Sequence, residues 1–214
     1  MRDPKSTVEA GYDAMADRYL DFVSQTKGDP RLRFLGELQR RLQPGSKVVD
    51  LGCGAGIPCT ATLARTHDVL GVEISAEQLR RARTNVPAAR FVKADLASVA
   101  LPLDTMDAVT AFYCLTLVPR IGHADVLRRI AGWLRSGGYL LATLSARGET
   151  DGFQDDFVGV PMYFSGYGPE INRQLLEDAG FELVLDEIVT MQEPGGDASF
   201  EWVLAQKGCK LARC

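Results

Sequence analysis

Residues 47–56, Lys-Val-Val-Asp-Leu-Gly-Cys-Gly-Ala-Gly, constrain the fold of this chain more than any other stretch. Val48, Val49 and Leu51 make a short apolar, β-branched run suited to a strand covered on both faces. Gly52, Gly54 and Gly56 follow at alternate positions, and an apolar, helix-compatible segment opens after Pro58. Strand, glycine turn and helix in that order bring bare backbone and a helix N-terminus up to a ligand with no side chain in the way. The spacing is G-x-G-x-G just after the acid Asp50, whereas a dinucleotide-binding turn reads G-x-G-x-x-G. An ordinary tight turn also carries glycines, so the rest of the chain has to choose between the two readings.

Downstream, apolar runs alternate with helical periodicity, the pattern of a parallel sheet with helices on both faces. Val69 to Glu73 reads as a second buried strand ending in an acid about twenty residues past the glycine turn, where a carboxylate can accept both hydroxyls of a ribose. Ser75 and Gln78 read as a capping box for a helix with Leu79, Ala82 and Val86 facing inward. Arg90 to Leu96 is a third strand and its end, Asp107 to Tyr113 a fourth, and Tyr139 to Leu144 a fifth, the last preceded by a helix stopped at Ser136-Gly137-Gly138. A helix over Pro169–Ala179 precedes two strands, 181–191 and 199–206, joined by Glu193-Pro194-Gly195-Gly196-Asp197 as a hairpin. Three acidic or glycine-rich strand ends then share one sheet edge, where ligands of open α/β sheets bind.

Upstream, Tyr12, Met15, Ala16 and Tyr19 recur at helical spacing and predict one amphipathic helix over Thr7–Phe22. Asp29 as N-cap and Pro30 at the first helical position start the next helix, with Leu32, Leu35, Leu38 and Leu42 inward.

Taken together, "VVDLGCGAG", the acid Glu73, the Ala94-Asp95-Leu96 segment, "LRSGGYLLAT" and the upstream Y-D-x-x-A-x-x-Y resemble class I S-adenosylmethionine-dependent methyltransferases of the small-molecule type, over most of the chain. The resemblance implies a single domain: a three-layer Rossmann-like sandwich with a seven-stranded, mostly parallel sheet and one antiparallel strand in a C-terminal hairpin. It implies S-adenosyl-L-methionine as cofactor and S-adenosyl-L-homocysteine as product. The cofactor contacts it implies are Tyr12, Tyr19, Asp50, Gly52, Cys53, Gly54, Gly56, Glu73, Ile74, Asp95, Leu96 and Tyr113, with Glu73 on the ribose and Asp95 and Leu96 on the adenine. Tyr19 also reads as an aromatic that merely packs on the core. Phe112-Tyr113-Cys114-Leu115 is not the N/D-P-P-Y/F tetrapeptide of DNA and glutamine methyltransferases, and Leu117 stands where many small-molecule relatives have a histidine. His123 reads as a surface or capping residue and His67 as a loop residue.

Residues 1–28 read as an N-terminal helical cap, 149–168 as a lid-like insertion and 207–214 as a flexible tail. The insertion is the least regular long stretch, carrying Phe153, Phe157, Met162, Tyr163, Phe164 and Tyr167 with Asp151, Asp155 and Asp156 between them. That content suits an aromatic or cationic acceptor, or a hydrophobic flap over the cofactor. Tyr19 and Tyr163 are the positioning candidates for catalysis, with Asp155 and Asp156 as further candidate bases; no metal is expected.

A net charge of -4 argues against a nucleic-acid partner or an anionic membrane surface. Five cysteines (53, 59, 114, 209 and 214) without a C-x-x-C pair fit reduced thiols in the cytoplasm, and the opening residues lack an apolar signal region. The expected partners are a small-molecule acceptor and, at most, a second copy of the chain, as a monomer or homodimer. Two classes of function remain: methyl transfer to an O, N, S or C atom, or a cofactor-binding protein of the same fold that uses the bound sulfonium otherwise.

Overall fold

The computed structural model describes residues 2–208. Its main sheet is built from β1 (Lys47–Leu51), β2 (Asp68–Glu73), β3 (Arg90–Lys93), β4 (Met106–Ala111), β5 (Leu134–Ser145), β8 (Phe181–Glu193) and β9 (Gly196–Lys207). A separate hairpin pairs β6 (Thr150–Phe157) with β7 (Val160–Gly166). The seven-stranded order is β3-β2-β1-β4-β5-β9-β8. The strands from β3 to β5 pair in parallel, and β9 runs antiparallel to both of its neighbours, as the sequence pattern predicts. The order reverses at β1, so the chain leaves β1 and β4 in opposite directions and opens a crevice at their carboxyl ends.

The helices are α1 (Pro4–Ala14), α2 (Ala16–Gln25), α3 (Arg31–Gln39), α4 (Cys59–Leu63), α5 (Ala76–Asn85), α6 (His123–Trp133) and α7 (Pro169–Asp178). Strand alternation sends neighbouring side chains to opposite layers. Val49, Leu51 and Val109 join Val126, Leu127, Ile130 and Leu176 from α6 and α7. Val48, Val69 and Ala108 join Phe34, Leu35, Leu38 and Leu63 from α3 and α4. In that second layer Trp202 stacks on Phe34 with ring centroids 4.8 Å apart, worth about 0.5–1.5 kcal/mol beyond the area it buries.

Several local expectations are corrected. The N-terminal segment is two helices, because Met15 leaves helical geometry (φ -101°, ψ 8°) as its side chain enters the core. In α3 the N-cap position falls on Pro30, while Asp29 accepts from the Arg31 amide (3.0 Å); Phe34 takes the inward place expected of Leu32, which is exposed. Helix α6 stops at Trp133, and Ser136-Gly137-Gly138 lies inside β5 as an irregularity. Gly137 takes a φ of +75°, and a Cβ on Gly138 would sit 3.1 Å from the Asp107 carbonyl of β4. Gln78 supplies only its amide to Ser75 Oγ (3.1 Å), and the Ser75 amide goes instead to the Glu73 carboxylate (2.9 Å), so the capping box is half made. Lys207 is the last residue of β9 and pairs with Asp104 (2.7 Å), while residues 209–214 of the expected tail lie outside the described residues.

The insertion is the largest correction. It is an antiparallel hairpin, with Met162, Tyr163 and Ser165 buried along β7. Gly11 permits this packing: a Cβ there would lie 2.7 Å from the Met162 methyl. Helix α1 is in turn tied to the sheet edge by Asp13, which accepts from Ser75 Oγ (2.6 Å) and the Glu77 amide (3.1 Å).

Candidate functional site

The glycine turn shows why each glycine is there. Gly52, Gly54 and Gly56 all have positive φ (+63°, +53° and +78°), a region L side chains avoid. A Cβ on Gly52 would meet Cys114 Cβ at 2.5 Å, and one on Gly56 would meet Val86 Cγ2 at 3.0 Å, so both serve internal packing. A Cβ on Gly54 meets no protein atom within 4 Å: this glycine faces open space. Beneath the turn, Asp50 is buried and accepts from Thr110 Oγ1 (2.7 Å) and Thr60 Oγ1 (2.5 Å). Burial raises its pKa, the two hydroxyls opposing.

Glu73 ends β2 beside that turn. Its carboxylate accepts the amides of Gly54, Ile74 and Ser75, each at 2.9 Å. Burial raises its pKa and the three amides pull it back. At the end of β3, Asp95 accepts the Ala97 amide (2.9 Å) and stands 3.5 Å from Lys5 Nζ of α1.

These strand ends line one cavity of about 120 Å³, bounded by Gly52, Gly54, Glu73, Ile74, Asp95, Leu96, Tyr12, Tyr19 and Tyr113. A smaller adjoining recess is lined by Asp50, Cys53, Gly52, Gly54, Tyr19 and Tyr113. All the residues expected at the cofactor therefore converge except Gly56, which packs on α5.

A second cavity, of about 310 Å³, opens on the far side of the three tyrosines. Tyr12, Tyr19 and Tyr113 line both cavities, so they form the partition between them. Tyr12 and Tyr19 meet edge to face, centroids 5.2 Å apart, and burial raises both phenols. Phe22, Phe157, Phe164 and Phe200 supply aromatic surface; Thr116, Ser145, Ser165, Ser199, Arg31, Arg147 and Glu193 supply polar groups.

Several expected residues are not at the site. Tyr163 lines neither cavity; it is buried with Val8, Met15 and Met162, and its hydroxyl donates to Asp151 (2.6 Å). The insertion's acids also face elsewhere: Asp155 pairs with Arg2 (2.8 Å), and Asp156 accepts the Gly159 amide (2.8 Å). A cationic acceptor thus loses its expected partners. His123 is not a surface residue: it is 4% exposed, with Nε2 3.0 Å from the Val118 carbonyl, and burial lowers its pKa. Among the described residues no cluster of three His, Cys, Asp or Glu groups could hold a metal ion, and no helix is long and apolar enough to cross a membrane.

Sequence reasoning missed Asp29 and Arg31 as site residues, because D-P-R before an apolar run reads as a helix start. Arg31 reaches the second cavity and pairs with Asp29 at 2.5 Å. It also missed Phe200 and Glu193, which arrive from the C-terminal hairpin.

Residues 48–138 match the family model described as a methyltransferase domain. The trans-aconitate 2-methyltransferase of Rhodopseudomonas palustris is 36% identical over 132 residues, 60% of this chain and 48% of that enzyme. The chain thus spans about half the length of the curated relatives it matches. Among solved structures, the 1,6-didemethyltoxoflavin-N1-methyltransferase of Burkholderia thailandensis, with 1,6-didemethyltoxoflavin and S-adenosylhomocysteine bound, aligns with a TM-score of 0.64 at 20% identity, over 94% of this chain and 91% of that one. The [4+2]-cyclase SpnF aligns with a TM-score of 0.71 at 17% identity, over 94% of each chain. At such identities the structural likeness concerns the fold alone. Sheet order, glycine turn and family match define a Rossmann-like methyltransferase domain. Over residues 48–138 the chain resembles the class I S-adenosylmethionine-dependent methyltransferases.

Proposed function

We propose that this chain transfers a methyl group from S-adenosylmethionine to a small molecule seated in the second cavity. The observation that carries the reading is the pairing of two cavities across Tyr12, Tyr19 and Tyr113, one lined by the strand-end acids and glycines and the other by aromatic rings. The first cavity fits the cofactor on its own evidence: Gly54 faces open space where a side chain would intrude, and two acids stand at neighbouring strand ends. There Glu73 would hold the ribose, Asp95 and Leu96 the adenine, and the turn at Asp50–Gly54 the methionine part. When bound, the cofactor supplies an electrophilic methyl group with a neutral leaving group. The protein is then left to align, to exclude water and to bring donor and acceptor close.

The second cavity suits a flat acceptor, able to stack on Phe22, Phe157, Phe164 or Phe200. Curated relatives named for a small acid, trans-aconitate, also support a small acceptor. The acidic net charge and the absence of an N/D-P-P-Y/F tetrapeptide support our reading that no nucleic acid is methylated. Unpaired thiols at Cys53, Cys59 and Cys114 support a reducing, cytoplasmic setting.

The test is release of S-adenosylhomocysteine from methyl-labelled cofactor over a panel of small aromatic and carboxylic acceptors. Label transferred to a small molecule upholds the reading. Cofactor that binds but gives no product with any acceptor favours the alternative of a cofactor-binding protein on this fold, and label transferred to tRNA or DNA contradicts the acceptor class.

A further inference from the structure

Tyr113 is held in a way its role as a partition does not require. It follows β4 with a φ of +58°, a conformation rare outside glycine and strained for a bulky side chain, of the kind that clusters at functional sites. Its amide donates to the buried Thr143 Oγ1, which fixes the backbone. Its hydroxyl donates to Asp29 Oδ1 at 2.9 Å. Asp29 is itself fixed, accepting the Arg31 amide at 3.0 Å and Arg31 Nε at 2.6 Å. The guanidinium also lies 4.9 Å from the Tyr113 ring centre.

From this arrangement we infer that Tyr113 selects the acceptor group: its hydroxyl, with the proton held by Asp29, can only accept, and so favours a molecule with an N–H or O–H group over its methylated ether. A phenol has one proton to donate. The Asp29 carboxylate takes it in a charge-assisted bond, against which the nearby Met191 thioether, 3.6 Å from the same oxygen, is a weak competitor. Arg31 keeps the carboxylate in place, so the phenol proton stays committed. An ether oxygen there would face another oxygen's lone pairs, whereas a donor completes the bond. A carboxylate is not sorted by this contact, because Arg31 and Arg147 also line the cavity. This inference rests on the reading of the second cavity as the acceptor site, and it names the chemical class that site takes.

Calorimetry tests it without turnover, on the protein saturated with S-adenosylhomocysteine, using two probes of one ring skeleton: 2-naphthol and 2-methoxynaphthalene. The expected result is 2-naphthol bound at least about tenfold more tightly than 2-methoxynaphthalene, consistent with the loss of one hydrogen bond or the exposure of one unpaired group. Tyr113→Phe should abolish that preference, its fold being checked by thermal melting. The comparison of probes on the unaltered protein stands by itself should the variant not fold. Equal or tighter binding of 2-methoxynaphthalene, or a preference that survives in Tyr113→Phe, would overturn the inference. Titration with S-adenosylhomocysteine alone separates the two failures. No binding of it by the unaltered protein removes the proposed function, whereas binding of it without probe preference removes only the role of Tyr113.

Discussion

The glycine turn at Gly52–Gly56 and the aromatic wall around Phe157 and Phe164 face adjoining cavities, yet they are assembled in opposite ways. The turn is local: nine consecutive residues from Val48 to Gly56 provide the strand, the positive φ angles and the open approach. The wall is collected from α2, the β6–β7 hairpin and the β8–β9 hairpin, segments far apart in the chain. Backbone that must meet a ligand needs particular residue types at fixed spacing. A wall of side chains needs only suitable surface, which many sequences supply. The cofactor side should therefore fail sharply on single changes, and the acceptor side gradually.

The largest effect is expected at Gly54. Gly54→Val places a side chain in the open space and asks a β-branched residue for a φ of +53°, and should lower affinity for S-adenosylhomocysteine more than about 100-fold with the protein still folded. Gly52→Ala sharpens the contrast: its Cβ would fall 2.5 Å from Cys114 Cβ, so the loss should appear in thermal stability, by about 1–3 kcal/mol. If both variants lose only stability, the turn is a packing device and not a ligand loop.

Glu73→Ala comes next. Removing a charge-assisted acceptor should cost about 1.5–3 kcal/mol of cofactor affinity, one to two decades by calorimetry. Because Glu73 also holds three amides, its melting temperature should fall as well. Unchanged affinity would take the ribose assignment away.

On the other wall, Phe164→Ala should raise the acceptor KM about two- to tenfold, the worth of one aromatic contact, with cofactor affinity changed less than about twofold. A drop in cofactor affinity as large as that of Glu73→Ala would erase the distinction between the walls.

The same difference explains what could be read before the structure. The sheet, its antiparallel strand and the acid at 73 were legible because alternation, strand length and turn chemistry are local signals, whereas Asp95 was singled out by the family resemblance. Tyr163 was misplaced because the insertion had not been recognised as a strand pair, in which it is buried against α1 and bonded to Asp151 of the facing strand. Asp29 was legible only as a helix start. Its bond to Tyr113 spans a separation in sequence that no local pattern encodes. His123 was read as a surface or capping residue from its place at a helix start, while its ring turns inward to a carbonyl.

The smallest expected effect lies behind the acceptor wall. Glu201 is fully buried, and burial pushes its pKa up to about 7, with Asp186 adding to the rise and Asn172 and Arg173 opposing it. Asn172 Nδ2 bonds Glu201 (2.7 Å), the Ser145 carbonyl (2.9 Å) and the Tyr167 carbonyl (3.2 Å), joining β9 to the base of the hairpin. A raised carboxyl pKa favours the folded state in its protonated form. Its contribution is therefore complete below the ordinary carboxyl range and is lost as pH rises through about 7. Melting temperature should decline modestly between pH 5 and 8 (of order a few degrees), and Glu201→Gln should flatten that decline. A steeper decline in the variant would contradict the assignment.

Amide hydrogen exchange, with and without S-adenosylhomocysteine, tests the division of the site most directly. Binding should slow exchange at Gly54, Ile74, Ser75 and Ala97, around the cofactor cavity, while Met162 and Ser165 in the buried strand β7 exchange slowly in both states. Slowing confined to the hairpin, with the glycine turn unchanged, would contradict the account.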